Sequence, residues 1–108
     1  MQFNRYENFV ESMWIRSDTL ELDTMHALAG LAAEVGEVNG VFQKHLRKVA
    51  NGTAEQDAPD EQKVVDELGD VLFYLTRLAH ICGYSLDTVV NRNMEKLQNR
   101  KIKGEIAR

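Results

Sequence analysis

The sequence predicts an all-α fold, a single domain of four helices in a bundle-like arrangement. Three observations carry this. Apolar residues recur at three- and four-residue steps through four separate segments, the spacing of a helix face. Strand-like alternation of apolar and polar residues occurs nowhere. The strong breakers are few and gathered: the lone proline, Pro59, shares with Asn51-Gly52 the one loop-like stretch, ANGTAEQDAPD.

The first helix is expected over about residues 3–16, where Phe3, Tyr6, Phe9, Val10, Met13 and Trp14 repeat at mixed steps of three and four. Cap-type residues from Ser17 to Asp23 then turn the chain. The second helix covers about 23–49. Its apolar positions, among them Leu28, Leu31, Val35, Val38, Val41, Phe42, Leu46 and Val49, describe a wide stripe. After the loop over 50–60, Pro59 suits the first turn of a third helix over about 60–82, with Val64, Leu68, Val71, Leu72, Leu75 and Leu78 on its apolar side. Gly83 ends it. Ser85 is a good N-cap for a fourth helix, to about 101, with Asp87 in its first turn and Leu86, Val89, Val90, Met94 and Leu97 apolar. The tail KIKGEIAR reads as frayed, or ordered by a partner.

Composition bounds the function classes. With 44% hydrophobic and 28% charged residues, the 108-residue chain is globular and supplies one domain, 1–108, with a modest core. Thirteen basic residues against 17 acidic ones give a net charge of −4, which argues against a surface that coats nucleic acid. The single Cys82 cannot form an internal disulfide, fits a reducing compartment and reads as a small core residue. No apolar run approaches the roughly 20 residues of a membrane span, and MQFNRYENFVES has no signal-peptide core, so a cytoplasmic location is expected. The second and third helices are apolar over more than one narrow stripe. Part of that surface is expected to be buried against other copies, in a dimer or a dimer of dimers; a compact monomer with wide helix faces is the alternative.

Two matching cassettes carry the chemistry. Residues 34–38 read EVGEV and residues 67–71 read ELGDV, each acid, apolar, Gly, acid, Val. On a helix, i and i+3 share a face, so Glu34 pairs with Glu37 and Glu67 with Asp70. A short loop favours antiparallel packing, which lets the four carboxylates converge. A lone ExxE is usually a solvated face; two matching cassettes inside apolar helices are harder to dismiss. Gly36 and Gly69, each costing a helix about 1 kcal/mol relative to Ala, suggest close backbone approach or room for a ligand. Converging carboxylates repel and raise one another's pKa unless a cation is held among them. Oxygen donors without thiolate or imidazole favour Mg²⁺, with Mn²⁺ as a substitute, and such ions take further ligands from phosphates. A di-iron bundle would want Glu-x-x-His on two helices, and neither cassette has a His at that place.

These motifs, together with HALAGLAAEVGEV (26–38), DELGDVLFYLTRLA (66–79) and GYSLDTVVNRNMEKLQNRK (83–101), resemble the all-α nucleoside triphosphate pyrophosphohydrolases, specifically the MazG-like group. The resemblance covers most of residues 23–101. It implies Mg²⁺-dependent cleavage of a nucleoside triphosphate between its α and β phosphates, giving monophosphate and pyrophosphate. Glu34, Glu37, Glu67 and Asp70 match the family's metal ligands, and either Glu34 or Glu37 would activate the water. Some members carry an extra acid just before the first Glu; here that position is Ala33. Asn93, Lys96 and Arg100 resemble the family's Asn-x-x-Lys-apolar-x-x-Arg and lie on one helix face, where two cations and an amide suit phosphate oxygens. Lys44, seven residues after Glu37, could meet the outer phosphates, with Lys48 one turn further. Trp14 is the candidate to hold the base, with Phe9, Met13 and Tyr74 behind it; core packing is the plain alternative for all four. The family leans toward deoxynucleotides, including modified ones, which implies a house-cleaning or pool-control role. Two alternatives stay open: an enzyme like phosphoribosyl-ATP pyrophosphohydrolase, or a helical adaptor that binds nucleotides without turnover.

Overall fold

The computed structural model describes residues 3–55 and 58–104, and among them forms four helices and no strand. α1 spans Asn4–Met13, α2 Leu20–Ala50, α3 Glu61–Ile81 and α4 Leu86–Ile102. The all-α expectation holds, and the boundaries shift where capping chemistry decides them. α1 stops at Met13 because Trp14 takes an extended backbone (φ −74°, ψ 129°). α2 begins three residues earlier than expected: Thr19 is its N-cap, its hydroxyl accepting from the Leu22 N–H at 3.2 Å. Asp23 therefore lies inside the helix rather than in the turn. Pro59, expected in the first turn of α3, precedes the cap, because Asp60 takes that place and accepts from the Lys63 N–H at 3.3 Å. Ser85 caps α4 as expected, and Gly83, at φ 85°, supplies the left-handed residue that closes α3. Of the tail, α4 takes in Lys101 and Ile102, while residues 105–108 lie outside the described residues.

α2 and α3 form the main interface and run antiparallel. The register is readable from side-chain pairs: Asp23 meets Arg77, Gly30 meets Tyr74, and Glu34 meets Glu67 and Asp70. At Gly30 the close approach is real, since a Cβ there would overlap the Tyr74 ring. At Gly36 and Gly69 it is not: nothing lies within 4 Å of a Cβ built on either. Of the two readings of those glycines, close backbone approach falls away and open space, the room for a ligand, is what the structure leaves.

α1 packs on α3 through charge as well as apolar burial. Arg77, in the middle of the run LFYLTRLA, is 5% exposed. Its Nη1 donates to both oxygens of Glu11 at 2.8 and 3.1 Å, and its Nη2 donates to Asp23 Oδ2 at 2.7 Å. Its guanidinium carbon stands 5.4 Å from the centre of the Trp14 ring. His80 has one ring nitrogen against Glu7 and the other 3.2 Å from Glu11. Asp23 also accepts from the indole N–H of Trp14 at 3.0 Å and the backbone N–H of Ser17 at 2.9 Å. These bonds hold its carboxyl well below the usual range, at about 2, the Ser17 N–H contributing most and Arg77 next.

Among the described residues the buried apolar side chains are few: Val10, Trp14, Ala27, Ala79 and Leu86. Cys82, expected in the core, is exposed, since it follows the last residue of α3. Rows of large apolar residues stay uncovered, including Val35, Phe42, Leu46 and Val49 on α2 and Val65, Leu68 and Leu72 on α3. The radius of gyration is 17.4 Å, against about 13 Å for a compact chain of about 100 residues.

Candidate active site

The antiparallel register of α2 and α3 brings acids together midway along the pair. Glu34, Glu67 and Asp70 each offer an oxygen within 4.8 Å of the others. Glu34 and Glu67 are half-buried and Asp70 is exposed. The Glu34 carboxyl is pushed above its ordinary range, first by burial and then by the charges of Asp70, Glu67 and Glu37. The charge of Glu37 thus reaches Glu34, but Glu37 stands outside the three-oxygen set. Its side chain is exposed and lines an adjoining cavity of about 750 Å³, which Glu67 also borders. Of the four carboxylates read as ligands, the structure therefore gathers three and sets the fourth at the doorway.

The donor set suits a hard divalent cation. It is all oxygen, it has crowded like charges that a cation would relieve, and one member is already biased toward its protonated form. Glu34, Glu67 and Asp70 would hold such an ion, with Glu37 on its cavity side.

The cavity runs between the C-terminal half of α2 and the segment leading into α3. Lys44, His45 and Lys48 line it from α2, and Lys63 from α3. Lys44 and Lys48, read as possible phosphate contacts, are thus on the wall next to Glu37. Lys63 was not anticipated, because a single lysine at a helix start carries no pattern. On the other side, the Tyr6 phenol is raised by burial and by the charge of Asp70, so α1 reaches the neighbourhood of the acids.

Trp14 has the burial of the core-packing alternative: it is 8% exposed, its N–H is taken by Asp23, and its ring stacks on His26 at 4.5 Å between centroids. Tyr74 meets Trp14 edge-on at 5.9 Å. Phe9 and Met13, read as lying behind Trp14, are exposed instead. Asn93 and Lys96 are exposed and Arg100 is half-buried. Lys96 and Arg100 share a groove whose lining comes from α4 and Lys103, and no residue of α4 lines the cavity beside the acids.

An all-α antiparallel pair with paired carboxylates at its centre defines a class, and comparison with known proteins identifies it. Residues 23–104 match the MazG nucleotide pyrophosphohydrolase domain, and the chain belongs to that family. It is also 40% identical over 77 residues to the Gene 37 protein of Mycobacterium phage L5, a match covering 71% of this chain and 65% of that protein. No solved structure matches the chain. Among the described residues, no helix is long and apolar enough to cross a membrane.

Proposed function

We propose that the chain hydrolyses nucleoside triphosphates, with a preference for deoxynucleotides, at the link between the α and β phosphates. Water adds to the α phosphorus, the bond to the bridging oxygen breaks, and monophosphate and pyrophosphate leave. The observation that carries this reading is the three-carboxylate cluster of Glu34, Glu67 and Asp70 opening onto a lysine-bearing cavity through Glu37. Mg²⁺, or Mn²⁺ in its place, would supply charge neutralisation of the triphosphate and activation of water. Glu37, outside the cluster and facing the cavity, takes the proton of the attacking water, with Glu34 as the other candidate. Lys44 meets the outer phosphates, while Asn93, Lys96 and Arg100 meet phosphate and sugar oxygens. Trp14, buried under His26, supports the base pocket from beneath. This reading sets the chain at the cytosolic nucleotide pool, in a house-cleaning or pool-control role.

The same reading makes the chain a homodimer or dimer of dimers. The uncovered apolar rows and the expanded radius of gyration support this, since a soluble monomer rarely leaves so much contiguous apolar surface exposed. The test is a panel of dNTPs and NTPs at saturating Mg²⁺ with the products identified. Monophosphate plus pyrophosphate is expected. Diphosphate plus orthophosphate would overturn the assigned bond, and turnover that survives Glu37→Ala and Glu67→Ala would overturn the assigned site.

A further inference from the structure

We infer that the outer end of the site takes a leaving group longer than pyrophosphate, so that nucleoside tetraphosphates are substrates, cut to monophosphate and tripolyphosphate. This rests on the pyrophosphohydrolase reading and extends it to the length of the phosphate chain. The step is the same. Water adds to the α phosphorus and gives its proton to the carboxylate base. The bond to the α–β bridging oxygen breaks, and that oxygen leaves with three phosphates instead of two.

The two ends of the acid cluster differ. Toward the N-terminus of α2 lie Gly30, Tyr74 and the stacked rings of His26 and Trp14. The cation at that end, Arg77, is already bonded to Glu11 and Asp23. Toward the C-terminus of α2 the cavity of about 750 Å³ opens, and Lys44, Lys48 and Lys63 line it. Among the described residues, none of these three lysines makes an ion pair within 4 Å. The phosphate chain therefore runs toward the lysines, and the nucleoside toward the rings.

The lysines form a ladder whose length counts phosphates. Because α2 and α3 are antiparallel, forward along α2 and backward along α3 both lead away from the acids. Lys63 stands four residues before Glu67, about 6 Å along the axis. Lys44 and Lys48 stand seven and eleven residues past Glu37, roughly 10.5 and 16.5 Å along α2. Glu37, Val41, Lys44 and Lys48 recur at steps of four and three, which puts them on one face. Gly40 leaves the floor between Glu37 and Lys44 open, since nothing lies within 4 Å of a Cβ built there. With the α phosphate at the acids, the β phosphate reaches Lys63 and the γ phosphate Lys44. Lys48 is one helical turn further and has no phosphate of a triphosphate to meet; a fourth phosphate supplies one. The volume agrees, because cavities of about 300 to 1,000 Å³ take whole drug-sized ligands and a pyrophosphate is much smaller. Thr53 donates its backbone N–H to the Lys48 carbonyl at 2.9 Å, which ties the loop wall of the cavity to this outermost rung. Glu55, Asp60 and Glu61 also line the cavity, Asp60 being engaged in capping α3. Polyphosphates bind as Mg²⁺ complexes, so a lining of mixed sign suits them better than it suits a bare anion.

The test compares the triphosphate and tetraphosphate of one nucleoside, the fastest of the panel, at saturating Mg²⁺ with products identified. The tetraphosphate should give monophosphate and tripolyphosphate, with kcat/KM about tenfold above the triphosphate through a lower KM. Lys48→Gln should remove that advantage, lowering kcat/KM about tenfold more for the tetraphosphate than for the triphosphate. Lys48 is exposed, so the substitution should leave the melting midpoint unchanged, and that measurement checks the fold. Lys63→Gln, on the inner rung, should lower both substrates alike. A tetraphosphate turned over no better than the triphosphate, or cut to another pair of products, would overturn the inference and leave the pyrophosphohydrolase reading standing. So would a Lys48→Gln variant whose effect is equal on the two substrates. Wild type inactive on every nucleotide would sink both. A second readout needs no turnover: calorimetric titration with the Mg²⁺ complexes of tripolyphosphate and of pyrophosphate. Tighter binding of the longer anion, lost in Lys48→Gln, is expected. Equal affinities, or a difference that survives the substitution, would refute the inference.

Discussion

Gly30→Ala isolates the close approach of α2 to Tyr74. Gly30 faces the Tyr74 ring across α2 and α3, and a Cβ there would overlap three of its atoms. The ring cannot swing aside freely, because Trp14 and Phe73 meet it edge-on at centroid distances of 5.9 and 5.4 Å. Overpacking of this kind costs about 1 to 3 kcal/mol. Replacing a helical glycine by alanine gains about 1 kcal/mol in propensity, which hides part of that cost. Gly36→Ala and Gly40→Ala remove the ambiguity, since nothing within 4 Å meets a Cβ at either position while the propensity gain is the same. The difference between Gly30→Ala and these references is then the overpacking term alone. At about 4 to 8 °C per kcal/mol for a domain of this size, the gap in midpoint is at least about 4 °C, with Gly30→Ala the lower. Thermal and urea unfolding read it. A Gly30→Ala protein that melts together with the two references would show that the helix pair has slack at Tyr74, and the register argument would lose its anchor.

Three more outcomes follow from the charges. Asp23 has a folded pKa of about 2 against an ordinary 3.8, so its stabilisation is complete above about 4 and is lost as pH falls toward 2. Stability measured across that window should therefore drop in wild type and drop less steeply in Asp23→Asn. Arg77→Met removes the cation that joins α1, α2 and α3 and should cost about 3 to 5 kcal/mol in urea unfolding. Arg77→Lys should recover only part of this, because an ammonium cannot fork between Glu11 and Asp23. Saturating Mg²⁺ or Mn²⁺, at about one hundred times its dissociation constant, should stabilise the protein by about 2.7 kcal/mol, and Glu67→Gln should abolish the shift in calorimetry.

The sequence exposed whatever depends on local spacing. Four apolar helical repeats, the cap at Ser85 and the i, i+3 acids could all be read, because periodicity and capping act over a few residues. The array around Arg77 could not be read in the same way. Its bonds span 66 residues to Glu11, 54 to Asp23 and, through His80, 73 to Glu7, distances at which spacing says nothing. One signal was present: Arg77 is the basic residue inside the apolar run VLFYLTRLA, and a charge there needs a buried partner. The surroundings of Trp14 were out of reach for a related reason. It sits at helical spacing from Val10, yet it leaves the helix, and its N–H is captured by Asp23. The separation of Glu37 from the other acids was also out of reach, since i and i+3 fix a shared face but not which side chain turns toward the neighbouring helix.

The thin core and the uncovered rows have a common consequence for folding. With five apolar side chains buried among the described residues, a lone chain has little apolar burial to offset the conformational entropy of ordering about a hundred residues. If copies cover one another, much of the stability belongs to the assembly and not to the chain, and the unfolding midpoint must rise with concentration. At about 0.7 kcal/mol per residue, unfolding a dimer absorbs roughly 150 kcal/mol, so a hundredfold rise in concentration lifts the midpoint by roughly 7 °C. Scanning calorimetry from micromolar to hundreds of micromolar chain measures this directly. A midpoint that stays fixed over that range would mean that α1, α2 and α3 hold one another through the Arg77 array without help. The exposed rows would then need an explanation other than self-association.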